Sequence, residues 1–164
     1  MLLFGTSAAV LLFWSLLLLD RTRRWPGELF LDRLAVSTEA SVVALVPARD
    51  EAAVLPATLP ALFAQEHGAL RILLVDDGST DGTPEVALAL AQSSGAADRC
   101  RVLKAPARPV GWVGKVWAQH SGWQSLVADQ APVEWVLLTD ADIRHAPHSV
   151  RSMLDKASRG GYDV

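Results

Sequence analysis

The chain is expected to be an α/β protein built on a mainly parallel sheet, and three observations predict it. Short β-branched or aliphatic runs alternate with helical patterns of about a dozen residues, the signature of βαβ units. Two of those runs end abruptly in acidic residues, Asp76-Asp77 and Asp140-x-Asp142. A Gly/Pro-rich segment then delivers Lys115 to the start of a helix. In open α/β sheets the crevice beyond the carboxyl ends of the strands is where ligands bind. The chain has 164 residues, enough for roughly one domain. Its formal net charge is −3, so it has no basic footprint of a nucleic-acid binder.

At the N-terminus, residues 2–19 contain no charged side chain and are dominated by Leu, Val, Phe, Trp and Ala. That length suits a helix crossing a bilayer core of about 30 Å. A cleaved signal peptide is the competitor, but Met1 to Phe4 carry no Lys or Arg and the run ends Leu17-Leu18-Leu19-Asp20. Residues 1–20 are therefore expected to be an uncleaved single-pass anchor in the cell (inner) membrane. Arg21, Arg23 and Arg24 follow directly and mark the cytoplasmic side, which puts the rest of the chain in the cytoplasm. Residues 21–40 are a juxtamembrane segment with three open readings: an interfacial amphipathic helix, a plain linker, or a helix packed on the domain.

The α/β domain is expected over residues 41–164. Val42–Val46 reads as a strand ended by Pro47, and 54–65 as a helix with Leu55, Leu59, Leu62 and Phe63 at helical spacing. Arg71–Val75 is the second strand. Thr83 reads as an N-cap with Pro84 at N1 and Glu85 in the first turn, opening a helix to about Ser93. Arg101–Leu103 is a brief third strand and Lys115 to about Ala128 a third helix. Glu134–Thr139 is a fourth strand, expected to be buried, and Pro147–Ser158 a fourth helix. Tyr162–Val164 has the look of another strand beginning. Cys100 is the single cysteine; it forms no internal disulfide and reads as a small half-buried residue.

Two carboxylates spaced i and i+2 leave an extended segment on one face. Asp140 and Asp142 would then sit side by side, an arrangement that invites a hard divalent cation such as Mg²⁺ or Mn²⁺. A solvated turn is the plain alternative. Asp76 and Asp77 also leave a strand end, and Gly78 and Gly82 permit tight turns before a helix N-terminus that favours an anion. The stretch fails as an EF-hand because position 12 falls on Leu88. Residues 106–117 are no P-loop, since Gly111 and Gly114 are too close and Val116 follows the lysine. A lysine at a helix start is unfavourable unless an anion shares the site, so Lys115 points either to phosphate or simply to solvent. Trp112 and Trp117 are core residues or a platform for a sugar ring. Pro47, Arg49, Asp50 and Glu51 lie at the same crevice edge. His120, His145 and His148 form no convincing metal pairing.

Together, VVALVPARDE (42–51), ILLVDDGSTDGT (72–83), GWVGKVWA (111–118) and WVLLTDAD (135–142) resemble family 2 glycosyltransferases of the GT-A fold. The Gly-Trp-x-Gly-Lys-x-Trp-Ala stretch with a membrane anchor is most similar to the hopene-associated glycosyltransferases of hopanoid lipids. Ceramide glucosyltransferase-like and polyprenyl-phosphate sugar transferases are neighbours. The resemblance implies a Rossmann-like domain binding a nucleotide-sugar, UDP-linked by analogy, and a lipid acceptor. Pro47, Arg49 and Glu51 would border the nucleotide, and Asp76 or Asp77 would hold uracil or ribose. Lys115 would approach the diphosphate or sugar. Asp140 and Asp142 would hold Mn²⁺ or Mg²⁺ on the diphosphate. The family's general base and its Gln-x-x-Arg-Trp motif lie further downstream than Val164, so the chain is expected to be a donor-binding half that binds nucleotide and turns over poorly. A non-catalytic fragment or partner protein is one alternative. A haloacid-dehalogenase-type phosphatase is another, disfavoured because Arg144 stands where that motif wants Thr or Val.

Overall fold

The computed structural model describes residues 40–129 and 133–160. The expected anchor at 1–20, most of the juxtamembrane segment and the strand start at 162–164 lie outside them. Among the described residues no helix is long and apolar enough to cross a membrane.

Four strands, β1 (Val42–Ala48), β2 (Leu70–Asp76), β3 (Cys100–Lys104) and β4 (Trp135–Leu138), form one sheet in the order β3-β2-β1-β4. Every pairing is parallel, so the predicted sheet class holds. The helices are α1 (Leu55–Phe63), α2 (Thr83–Ser93), α3 (Gly114–Ala128) and α4 (Ser149–Gly160), and a 3₁₀ turn at Ala97–Arg99 leads into β3. The chain builds β1, β2 and β3 in one direction and then returns across the sheet to lay β4 on the other side of β1. The strand order therefore reverses between β1 and β4, which opens a crevice there.

The strands are continuous apolar runs because helices cover both faces of the central pair. Val42, Ala44, Val46, Ile72 and Leu74 point into one core with Leu55, Leu59, Leu62, Ala87 and Leu154. Val43, Leu45, Leu73 and Val75 point into a second core with Ala118. On that second face α3 lies very close to the sheet. A Cβ on Gly122 would stand 2.8 Å from Leu45 Cδ1 and 2.9 Å from Val75 Cγ2, so only glycine fits.

Several boundaries differ from expectation for identifiable reasons. β1 runs through Pro47 to Ala48. The Leu45 carbonyl accepts from the Thr139 amide and the Ala48 carbonyl from the Asp77 amide, so odd-numbered residues face β4 and even-numbered ones β2. Pro47 thus lacks its donor on the side where the β4 ladder has already ended at Leu45–Leu138. The N-cap of α2 is Gly82 at φ 83°, not Thr83, whose hydroxyl is engaged elsewhere. β4 is not buried: Trp135, Val136 and Leu137 are half-buried and Leu138 is 59% exposed. It has one neighbour among the described strands, so an apolar run alone did not distinguish an edge from a centre. Cys100 is buried, which pushes its thiol up to about 11.

Candidate active site

A cleft of about 420 Å³ opens at the carboxyl ends of β1, β2 and β4, at the point where the strand order reverses. Of the eight residues predicted from sequence, it is lined by seven: Pro47, Arg49, Glu51, Asp77, Lys115, Asp140 and Asp142. Asp76 is not among them. Three cations, counting Arg108, face four carboxylates across this space.

The two aspartates ending β2 part company because successive side chains of a strand point to opposite faces. Asp76 is buried, and its Oδ1 accepts from the Ser79 amide at 3.1 Å, closing the turn after the strand. Asp77 faces the cleft, with Arg49 Nη1 at 3.6 Å from its Oδ2. The start of α3 comes so close to Asp77 that a Cβ on Gly114 would overlap Asp77 Oδ2 and lie 3.0 Å from Arg108 Nη1. A side chain at Gly114 would therefore displace the Asp77 carboxylate and the Arg108 guanidinium. In the sequence Gly114 stands in the stretch that carries the family resemblance, whereas Arg108 is not singled out, because no spacing in that loop marks the arginine.

The segment 79–83, read from sequence as a possible anion cradle, serves as a clasp. Asp50 adopts a left-handed conformation at φ 54°, uncommon for a residue with a side chain. Its amide donates to Ser79 Oγ at 2.9 Å, and its Oδ1 accepts from the Thr80 amide at 2.7 Å. The Glu51 amide donates to Thr83 Oγ1 at 2.8 Å and the Ala52 amide to Asp81 Oδ2 at 2.9 Å. Asp81 Oδ1 in turn accepts from the Thr83 hydroxyl at 2.6 Å and amide at 3.0 Å. These bonds, the Thr83 hydroxyl foremost, hold the Asp81 carboxyl below its ordinary value. The loop bearing Arg49 and Glu51 is thus held by the loop after β2.

The Asp140–Asp142 segment is a tight turn, not an extended strand end: the Ile143 amide donates to the Asp140 carbonyl at 3.3 Å. Buried Ala141 anchors it, its carbonyl accepting from Thr58 Oγ1 at 2.7 Å. Thr139 Oγ1 and His145 Nε2 lie 2.8 Å apart and close the base of the turn. Burial lowers the pKa of His145, which favours the neutral ring. Gln65 secures the following chain, donating to the Ala146 carbonyl at 2.8 Å and accepting from the Val150 amide at 3.0 Å. Both aspartates reach the cleft by this route.

Lys115 Nζ lies 2.6 Å from Asp140 Oδ1. The cation at the helix start therefore has an anionic partner, though it is a carboxylate of the protein. Trp112, Trp117 and His120 form one aromatic cluster, with ring centroids 5.0–5.4 Å apart. Among the described residues no group of three or more His, Cys, Asp or Glu side chains is arranged to hold a metal ion. The donor chemistry of Asp140 and Asp142 nonetheless fits a hard cation that takes its other ligands from phosphate and water, as Mg²⁺ commonly does.

The family model for glycosyl transferase family 2 matches residues 43–164, and the chain belongs to that family. No curated protein matches it. Solved structures share the fold at low identity. The TarS 1–349 structure from S. aureus in complex with UDP-GlcNAc superposes with a TM-score of 0.56 at 17% identity, over 73% of this chain and 31% of that one. The mannosyltransferase PcManGT from Pyrobaculum calidifontis, in complex with GDP-Man and Mn²⁺, gives 0.54 at 21% identity, over 90% and 39%. A mycobacterial protein gives 0.55 at 23% identity, over 76% and 41%. The chain thus spans about a third to two fifths of the length of these structures. Its membership of family 2 sets the phosphatase alternative aside.

Proposed function

We propose that this chain is the donor-binding part of a membrane-anchored, inverting glycosyltransferase that moves a sugar from a nucleotide-sugar to a lipid-type acceptor. The observation that carries the reading is the convergence of Asp77, Lys115, Asp140 and Asp142 on one cleft at the sheet's switch point, in a chain of family 2. Asp77, backed by Arg49, is oriented to accept hydrogen bonds from the base or ribose. Pro47 and Glu51 border the same pocket. Lys115, now paired with Asp140, would meet the diphosphate, and Asp140 and Asp142 would hold Mg²⁺ or Mn²⁺. When bound, the metal supplies Lewis-acid stabilisation of the departing nucleoside diphosphate. An acceptor hydroxyl attacks the anomeric carbon, the bond from that carbon to the diphosphate breaks, and the hydroxyl proton passes to an acidic base that the family resemblance places downstream.

The neighbours in complex with UDP-GlcNAc and with GDP-Man and Mn²⁺ support a nucleotide-sugar and a divalent ion. UDP is the donor nucleotide that the resemblance of the four motifs implies. Residues 111–118 and the apolar residues 2–19 support a hopanoid-related acceptor and a cytoplasmic domain on the inner membrane. The test is calorimetric titration of UDP into the detergent-solubilised chain, with and without Mn²⁺, with GDP as the comparison nucleotide. Metal-dependent binding is expected, weakened on the order of a hundredfold in Asp142→Asn, the upper end of the range known for perturbed metal sites. Absence of nucleotide binding by the folded chain would sink the proposal.

A further inference from the structure

Helix α3 carries apolar side chains on its exposed side and small residues on its buried side. Its inner side is made of small residues, Gly114, Ala118, Ser121 and Gly122, pressed onto the sheet. Its outer side carries Val116, Trp123 and Val127, each 50–56% exposed, with His120 on the same stripe by helical spacing. No Asp, Glu, Lys or Arg occurs from Val116 to Ala128. Trp112, its ring tilted against His120 at 5.0 Å between centroids, continues the stripe into the loop before the helix. A helix face turned toward water normally carries charge, and a contiguous apolar face marks a surface that meets something else.

We infer that the outer face of α3 lies against the bilayer interface. The occupant is argued from the chain itself. The apolar residues 2–19 are followed by about 20 residues before the domain begins at 41, a stretch that reaches at most ~70 Å even when fully extended. A domain so tethered stays near a lipid surface. Tryptophan is a side chain enriched at headgroup depth, and Trp112 and Trp123 are both exposed on this side of the domain. The stripe begins at Val116, next to Lys115 at the cleft, so this orientation brings the cleft mouth to the depth of a lipid acceptor's headgroup. The inference rests on the anchor and lipid-acceptor reading above.

The test is spin labelling of the full chain in phosphatidylcholine vesicles containing a minority of phosphatidylglycerol. Labels go at Val116→Cys, Trp123→Cys and Val127→Cys, with Val10→Cys in the anchor and exposed Gln92→Cys on α2 as references. All labels are placed in a Cys100→Ala background, which removes the single native thiol. The expected result is collision with oxygen favoured over a water-soluble nickel complex at 116, 123 and 127, as at 10, and the reverse at 92. Aqueous behaviour at 116, 123 and 127 with a buried label at 10 overturns the inference and leaves the anchor standing. An aqueous label at 10 overturns both. Dipolar broadening between labels at 123 shows a second copy on this face, and also overturns it. The Val116→Cys and Val127→Cys labels replace exposed aliphatics and carry the decision if Trp123→Cys fails to fold.

Discussion

Two acidic strand ends meet in one cleft and are built in opposite ways. After β2 the acidic, hydroxyl-rich stretch is consumed by structure: Asp76 closes a turn, and Ser79, Thr80, Asp81 and Thr83 hold the loop bearing Arg49 and Glu51. Only Asp77 is left facing the ligand space. After β4 the turn is held mainly from its backbone and flanks, by Thr58 on the Ala141 carbonyl and by the Thr139–His145 contact. Both Asp140 and Asp142 are left to the cleft. Carboxylates of equal prominence in the sequence therefore divide into one that serves the scaffold, Asp76, and three that face the cleft, Asp77, Asp140 and Asp142. The division follows from which polar groups the neighbouring backbone leaves unsatisfied.

The comparison breaks most visibly at Gly114, where the two halves of the cleft approach each other. Gly114→Ala drives a methyl into Asp77 and Arg108. It is expected to cost about 1–3 kcal/mol, the range for overpacking, and to abolish UDP binding. Thermal melts and calorimetry on the same preparation check this. A smaller effect separates the two β2 aspartates. Asp77→Asn should weaken UDP roughly tenfold or more at unchanged stability, the scale of one charge-assisted hydrogen bond. Asp76→Asn should lower stability by about 1 kcal/mol with UDP affinity of the folded protein preserved. Equal affinity losses in the two variants would erase the distinction.

Thr83→Val tests the clasp. It removes the acceptor for the Glu51 amide and the donor to Asp81, and a loss of about 1 kcal/mol is expected. It also returns the Asp81 carboxyl toward its ordinary value, readable by carbon-detected NMR titration. The smallest effect is in pH. The pKa of His145 is lowered in the folded chain, so the unfolded chain binds more protons as pH falls through the ordinary histidine range near 6.5. Stability present above that range should decline below it, and His145→Gln should flatten the slope in denaturant titrations between neutral and mildly acid pH.

Much of this was legible in the order of residues. The alternation of strand and helix patterns identified a parallel α/β sheet, because period and length report burial directly. The positions of Pro47, Arg49, Asp77, Lys115, Asp140 and Asp142 at strand ends or a helix start placed them near one crevice for the same reason. What lay beyond reach was assigned by contacts between distant segments. Asp76 and Asp77 remained interchangeable until pleat and partner decided between them. The segment 79–83 looked like a ligand loop until the amides of residues 50–52 turned out to use it. Arg108 was invisible because no periodicity governs a loop. β4 looked central until the sheet order left it with one described neighbour.

Local chemistry, then, determined the elements, the fold class and the ends of the strands where function would sit, since propensity, hydrophobic period and turn residues act within a few positions of each other. Tertiary structure alone decided which carboxylates face the cleft, why Gly122 admits no side chain and one at Gly114 would displace Asp77, and that α3 turns Val116, Trp123 and Val127 outward. Those outcomes depend on which backbone donors, side chains and surfaces meet across gaps of tens of residues, and no local pattern encodes that meeting.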